Sequence, residues 1–463
     1  MTSWSLVLQF ILLASFGCTH VYSQDGQFYG GSISCTLEKQ ANDSSLIVVE
    51  LITGWVLGKG PCGPACSISD IGRSTRVTRP GVVSSHPGSL GDFTLKNKRH
   101  FTTTTITNIN AVVEKTYNET VNDVDEHRQW EQDIMHFSVL VEKDQDESFI
   151  SFDGYSRNNL SLQTGRNMDH WFMETHIRSG IRSDTKTANK GPRSLSKPFY
   201  RVALNKVSKI NIPTLDADGD IVKCEQSVLS EGGSISTNPP PNIKIFDNCT
   251  VYINASYFAG YRNNSWIAIP VSVRDYNRDD IVYGADFYSA GHFSLSSSSV
   301  QFAVQVLDNL EQPFFVEPTF KNNHVFIVYA GSTWSADIYA EAPQNATIYA
   351  FKAFGMQQEN VKLQNPIQQD LARPQIRFTT MSWNPTIADI GRHVVCVKVN
   401  DSNGIDSLED RCFSLIVRPD VFNYSSSYTQ NKPYFVDIPS PNQTIDCTLH
   451  ATCTLVLYVI SAM

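Results

Sequence analysis

The sequence predicts an all-β chain of tandem β-sandwich domains, with a β-rich N-terminal domain and little helix beyond a signal peptide. Three observations carry this. Hydrophobic residues make up 41% and aromatic residues 11% of the 463 residues, so the chain can bury cores, and long Ala/Leu/Glu/Lys blocks are missing. Apolar residues alternate over short runs bounded by Gly, Pro, Asn and Asp. Similar strand–turn–strand patterns also recur at an interval of roughly one hundred residues. Length over about 150 residues per domain gives roughly three domains. The net charge of −9 argues against general affinity for nucleic acid or anionic membranes.

The chain opens with an apolar run, Leu6 to Phe16, followed by Val21-Tyr22-Ser23 at positions that a signal peptidase reads. The run is shorter than the ~20 residues of a membrane span, so residues 1–23 are expected to be a cleaved signal peptide, although no Lys or Arg precedes the run. A secreted, extracellular chain with no transmembrane segment follows from this. Cys18 leaves with the signal. The expected disulfides are local: Cys62–Cys66, Cys224–Cys249, Cys396–Cys412 and Cys447–Cys453. Cys35 is left over, either free or paired with another chain. N-x-S/T sequons at Asn42, Asn118, Asn159, Asn248, Asn254, Asn263, Asn345, Asn400, Asn423 and Asn442 agree with export, and each should face solvent.

Residues 24–190 read as an N-terminal β-sandwich-like domain with strands such as SLIVVELITGWVL, IMHFSVLVEK and WFMETHI. The polar, aperiodic stretch Arg182–Pro198 reads as an interdomain linker. A second sandwich is expected over 196–309 and a third over 311–419. Residues 420–463 read as the start of a further β domain, which suggests a truncated form of a longer protein. In VVCVKVNDSNGIDSLEDRCFSLIV, residues 394–417, Val395, Val397 and Val399 share one phase, and Cys396 shares the other with Asn400. The sequon residue then points the cysteine face to solvent, making a stapled hairpin with an acidic, solvated tip.

The third unit carries Trp383-Asn384-Pro385, Gly391, Asp401-Ser402-Asn403-Gly404 and the closing strand Phe413-Ser414-Leu415-Ile416-Val417. With these motifs it resembles immunoglobulin-like and cadherin-like repeats. The second unit looks like a divergent copy lacking the Trp-Pro and Asp-x-x-Gly elements. The whole chain looks like large secreted invertebrate proteins with no assigned function, and this resemblance implies adhesion or extracellular matrix.

Candidate sites are few. Asp216, Asp218 and Asp220 in DADGD could supply oxygen ligands for a structural calcium ion, or could simply solubilise a Gly-containing turn. The loop is not an EF-hand, since Gly is fourth and Ser227 stands at the twelfth position. Asp275, Asp279, Asp280, Asp401, Asp406 and Asp410 could add ligands. His170 and His176 lack zinc spacing. The basic run Lys96-Asn97-Lys98-Arg99-His100 is either a solvated loop or a contact for sulfated polysaccharide. No catalytic residue is identified: nucleophile elbows, HExxH and P-loops are absent, and GGSIS at Gly30 and Gly232 lacks a strand–turn–helix setting. Glu131 and Asp133 beside Trp130 form no recognisable acid/base pair.

The expected function is a secreted, non-enzymatic interaction, adhesion or matrix protein with an extracellular protein or glycan partner. The alternatives are carbohydrate or immune recognition, and a secreted hydrolase. Exposure of Trp55, Trp130 and Trp171 in one groove would favour a sugar reader; burial of all three would favour the structural reading.

Overall fold

A computed structural model describes residues 28–40, 44–78, 92–99, 102–107, 116–126, 129–142, 146–154, 157, 159–165, 168–284, 286–354, 361–419, 434–436 and 458–460. The signal peptide, the Cys447–Cys453 pair, His100, Asn42, Asn423 and Asn442 lie outside these residues. Among the described residues, no helix is long and apolar enough to cross a membrane.

The first unit is a sandwich. One layer carries strands Thr116–Asp125, Trp130–Glu142, Ser44–Val56 and Phe28–Gln40, paired antiparallel in that order. The other carries Asp92–Arg99, Glu147–Gly154 and Trp171–Arg178. Period-two alternation turns Ile47, Val49, Leu51, Phe137 and Val139 inward against Phe93, Ile150, Phe152 and Met173.

The second unit is not a separate bead on a string. Its longest strand, Ser294–Leu307, pairs along one edge with Ser265–Tyr276. Along its other edge it meets three successive partners. Residues 303–307 run parallel to Phe199–Ala203, residues 299–301 pair with Gly31–Ile33, and Ser296–Ser297 pair with His176–Ile177. One strand therefore belongs to both units. The first GGSIS is explained by this seam: a Cβ on Gly30 would stand 2.2 Å from the Gln301 carbonyl oxygen, and one on Gly31 2.2 Å from that of Ile52. The second is similarly crowded: Gly233 adopts φ +68°, and a Cβ on it would stand 2.8 Å from Phe172 Cβ.

Arg182–Pro198 corrects the linker expectation. Arg182, Asn189 and Lys197 are 1%, 0% and 3% exposed, so the stretch is a strap tied down at these residues, with Ser183, Asp184, Lys186, Thr187 and Lys190 exposed between them. It is polar and aperiodic because Arg182, Asn189 and Lys197 bond to buried acidic side chains, while Ala188 and Leu195 enter apolar clusters.

The third unit is a complete sandwich. Phe314–Val316, Trp334–Glu341 and Ile376–Trp383 form one layer, and His324–Tyr329, Arg411–Arg418, Gly391–Asp401 and Ile348–Phe354 the other. Trp334, Trp383 and Phe413 lie in its core. Disulfides join Cys62 to Cys66, Cys224 to Cys249 and Cys396 to Cys412.

Gly31→Ala should force adjacent strands apart and cost about 1–3 kcal/mol, as overpacking does. Urea unfolding should show the midpoint fall, with the first and second units losing structure together.

Candidate functional site

The site is built from the hairpin that closes the third unit. Asp401 Oδ1 accepts the backbone N–H groups of Asn403 and Ile405 at 2.9 and 2.8 Å, and Gly404 adopts φ +71°. This turn sets the register that brings Cys396 opposite Cys412. Val395, Val397, Val399, Phe413, Leu415 and Val417 enter the core, as their alternation predicts.

The opposite face is a correction. It does not meet solvent: Val394, Cys396 and Cys412 pack with Phe354 and with Leu195 of the strap. Asn400 is 7% exposed, and its buried Oδ1 lacks a hydrogen-bond partner. The sequon misled because a second domain covers the face that an isolated sandwich would show to water. The acidic tip is likewise buried at Asp401, Asp406 and Asp410.

Three lysines fasten this face. Lys398, 1% exposed, bonds Asp123 of the first unit and stands 4.6 Å from the centre of the Trp130 ring. Lys352 Nζ donates to the Val124 carbonyl at 3.2 Å. Lys197 of the strap reaches Asp406 at 3.1 Å, Asp410 at 2.8 Å and the Ser407 carbonyl at 3.2 Å. Burial disfavours the Lys197 ammonium, but Asp406 and Asp410 outweigh that and hold its pKa above the ordinary range. Burial pushes Asp410 up despite Lys197.

Between these contacts lies a cleft of about 840 Å³, lined by Glu50, Gln132 and His136 of the first unit, Arg193 of the strap, and Arg392 and His393 of the third unit. Glu50 accepts bonds from Arg193 Nε and Nη2 at 2.8 and 2.6 Å and lies 2.9 Å from His136 Nε2. Burial alone would raise the Glu50 carboxyl, but His136 and Arg193 hold it below its usual value. Arg392 donates Nε and Nη2 to Ser414 Oγ at 3.2 and 3.1 Å. Glu50 is thus held by Arg193 and His136, and the cleft wall presents polar side chains from all three elements.

The other predicted residues are dispersed. Trp55, Trp130 and Trp171 are all buried; Phe28 stacks on Trp171 with centroids 4.4 Å apart. Glu131 and Asp133 do not line the cleft. Glu131 Oε2 accepts the Gly58 N–H at 2.8 Å and anchors the GKGPCGPACS loop, while burial and then Glu131 and Glu119 push Asp133 up to about 8. His170 pairs with Asp153 at 3.1 Å and His176 stacks on Phe149, so the two histidines share no site. Lys96 and Lys98 are paired with Glu174 and Glu147, and Asn97 is buried. Asp279 and Asp280 are exposed. Asn159, Asn248, Asn254, Asn263 and Asn345 are exposed, whereas for Asn118 and Arg99 only the backbone is described. Cys35 is a buried free thiol 3.2 Å from Thr175 Oγ1. Asp216 and Asp220 converge with Asp275, whereas Asp218 turns to the Lys190 N–H at 2.7 Å. Sequence reading missed Lys197, Lys398, Arg182 and Asp123. A lysine in phase with the cysteine inside VVCVKV was the available signal.

Lys197→Ala leaves Asp406 and Asp410 buried without their cation, and should cost about 3–5 kcal/mol, read as a lower thermal midpoint and easier cleavage between units. Glycopeptide mapping should find Asn400 bare and Asn248 and Asn254 occupied; a glycan on Asn400 would contradict the docked arrangement. Burial lowers the His176 pKa to about 4 against an ordinary 6.5, with Glu147 opposing and Arg178 adding to the shift. The folded state therefore binds fewer protons, and stability should fall as pH drops from 6.5 toward 4. His176→Gln should flatten that part of the pH–midpoint curve.

No family model matches this chain, and no curated protein does. Among solved structures, it is similar over 75% of its length to an I-band fragment, I67–I69, of titin, covering 94% of that chain at 10% identity and a TM-score of 0.17. Extracellular domains 3–5 of Drosophila OTK match 75% of this chain and 92% of their own at 9% identity and a TM-score of 0.15. The SrpA adhesin from Streptococcus sanguinis matches 25% of this chain and 62% of its own at 10% identity and a TM-score of 0.20.

Proposed function

We propose that this protein is a secreted, non-enzymatic extracellular interaction protein acting in adhesion or matrix. What supports the reading most is the way its charges are used. Lys197, Lys398, Asp406 and Asp410, which an enzyme could have placed in a cleft, are buried at domain seams and hold three sandwiches as one body. Such a body presents a fixed outer surface with little ordering cost on binding. Exposed sequons at Asn159, Asn248, Asn254, Asn263 and Asn345 suit an extracellular setting. Burial of Trp55, Trp130 and Trp171 favours this reading over a sugar reader built on those rings.

The test is direct. Purified secreted protein, immobilised on a surface, should retain cells or matrix proteins from its own tissue in a saturable way, and soluble protein should compete. Absence of saturable binding across cell and matrix preparations would overturn the proposal, as would turnover of glycan or peptide substrates lost on Glu50→Gln.

A further inference from the structure

The loop Asp216–Asp220 has the same backbone bonding as the Asp401 turn. Asp216 Oδ1 accepts the N–H groups two and four residues on, from Asp218 and Asp220, both at 3.0 Å, and Gly219 adopts φ +80°. In the Asp401 turn, however, those two positions are Asn403 and Ile405. The turn needs its first Asp and its glycine; it does not need carboxylates at 218 and 220. Their presence calls for another cause.

Part of that cause is Arg182, whose guanidinium bonds Asp184 and Asp220 and lies 3.7 Å from Asp218. One cation is still too few. Asp275 enters from strand Ser265–Tyr276 fully buried beside Asp216 and Asp220, so three buried carboxylates share one buried guanidinium, while Arg278, Lys190 and Arg392 beside the loop are exposed. Concentrating that much negative charge away from water is costly without further positive charge. Oxygens of Asp216, Asp220 and Asp275 lie within 4.8 Å of one another. Two oxygens on a common Ca²⁺, each at about 2.4 Å, can be at most about 4.8 Å apart. Independently, Asp216 is only 5% exposed, and its Oδ2 is buried without any hydrogen-bond partner.

We propose that Asp216, Asp220 and Asp275 bind one calcium ion, with Asp216 Oδ2 as a ligand and Asp275 in the place that DADGD alone would give to Asp218. Oxygen-only donors select a hard cation, and water completes the coordination. The ion stands where the strap meets the second unit, because Asp275 Oδ2 accepts Asn189 Nδ2 at 2.7 Å and Arg182 ties the same strap to Asp220. Calcium therefore rigidifies the part of the second unit to which Arg182 and Asn189 of the strap are bonded. This goes beyond the adhesion reading and does not depend on it.

The test uses the full secreted chain, stripped with EGTA and titrated with CaCl₂. Calorimetry should give one ion per chain, and the thermal midpoint should rise by about 5 °C or more at about 1 mM Ca²⁺, where many extracellular modules bind. Asp216→Asn should abolish the rise while keeping the turn, and Asp401→Asn should retain it. A stoichiometry of zero, or a rise unchanged in both Asp216→Asn and Asp275→Asn, would overturn the site. If protons alone relieve the cluster, acid will raise the midpoint and calcium will not, which also overturns it. Calorimetry on the unmodified chain decides even if a variant fails to fold, and cell binding is not the readout.

Discussion

Strand Ser294–Leu307 has to satisfy two edges at once, and most of the architecture follows from how it does so. One edge is taken along its length by Ser265–Tyr276; the other is divided among three segments from both the first unit and the start of the second. Backbone groups buried at such a junction must all be paired. That requirement fixes the position of the first unit against the second and forces glycine at 30 and 31, where strands approach too closely for a Cβ.

With the first two units fixed, the third is placed by ion pairs. Its inner face is apolar and closes its own core. Its outer face carries Lys398, and its turn carries Asp406 and Asp410, each matched by a partner on the first unit or the strap. Buried pairs are modest contributors to stability because desolvation offsets their attraction, but an unmatched partner is strongly unfavourable. Such contacts therefore select one docking geometry and reject others. The same reasoning applies at the Asp216 cluster, where the carboxylates outnumber their guanidinium.

The strands of the third unit and the inward phase of Val395, Val397 and Val399 were legible because alternation records which side chains a single sandwich buries. The three described disulfides join cysteines close in sequence, where few pairings compete. Fasteners such as Lys197 and Asp123 were not legible. Arg182–Pro198 looked like a linker because polar residues bonded to distant charges leave no periodic trace.

The sequence by itself determined the all-β class, the cores of the units and the turn at Asp401, since each depends on contacts between residues near in the chain or on period-two patterning. Only the tertiary structure decided which outer faces meet water. It buried Asn400, turned the acidic tip toward Lys197, exchanged Asp218 for Asp275 beside Asp216, and sealed the three tryptophans inside. The physical reason is that exposure and charge pairing across a seam are properties of two surfaces together, and a local pattern describes only one of them.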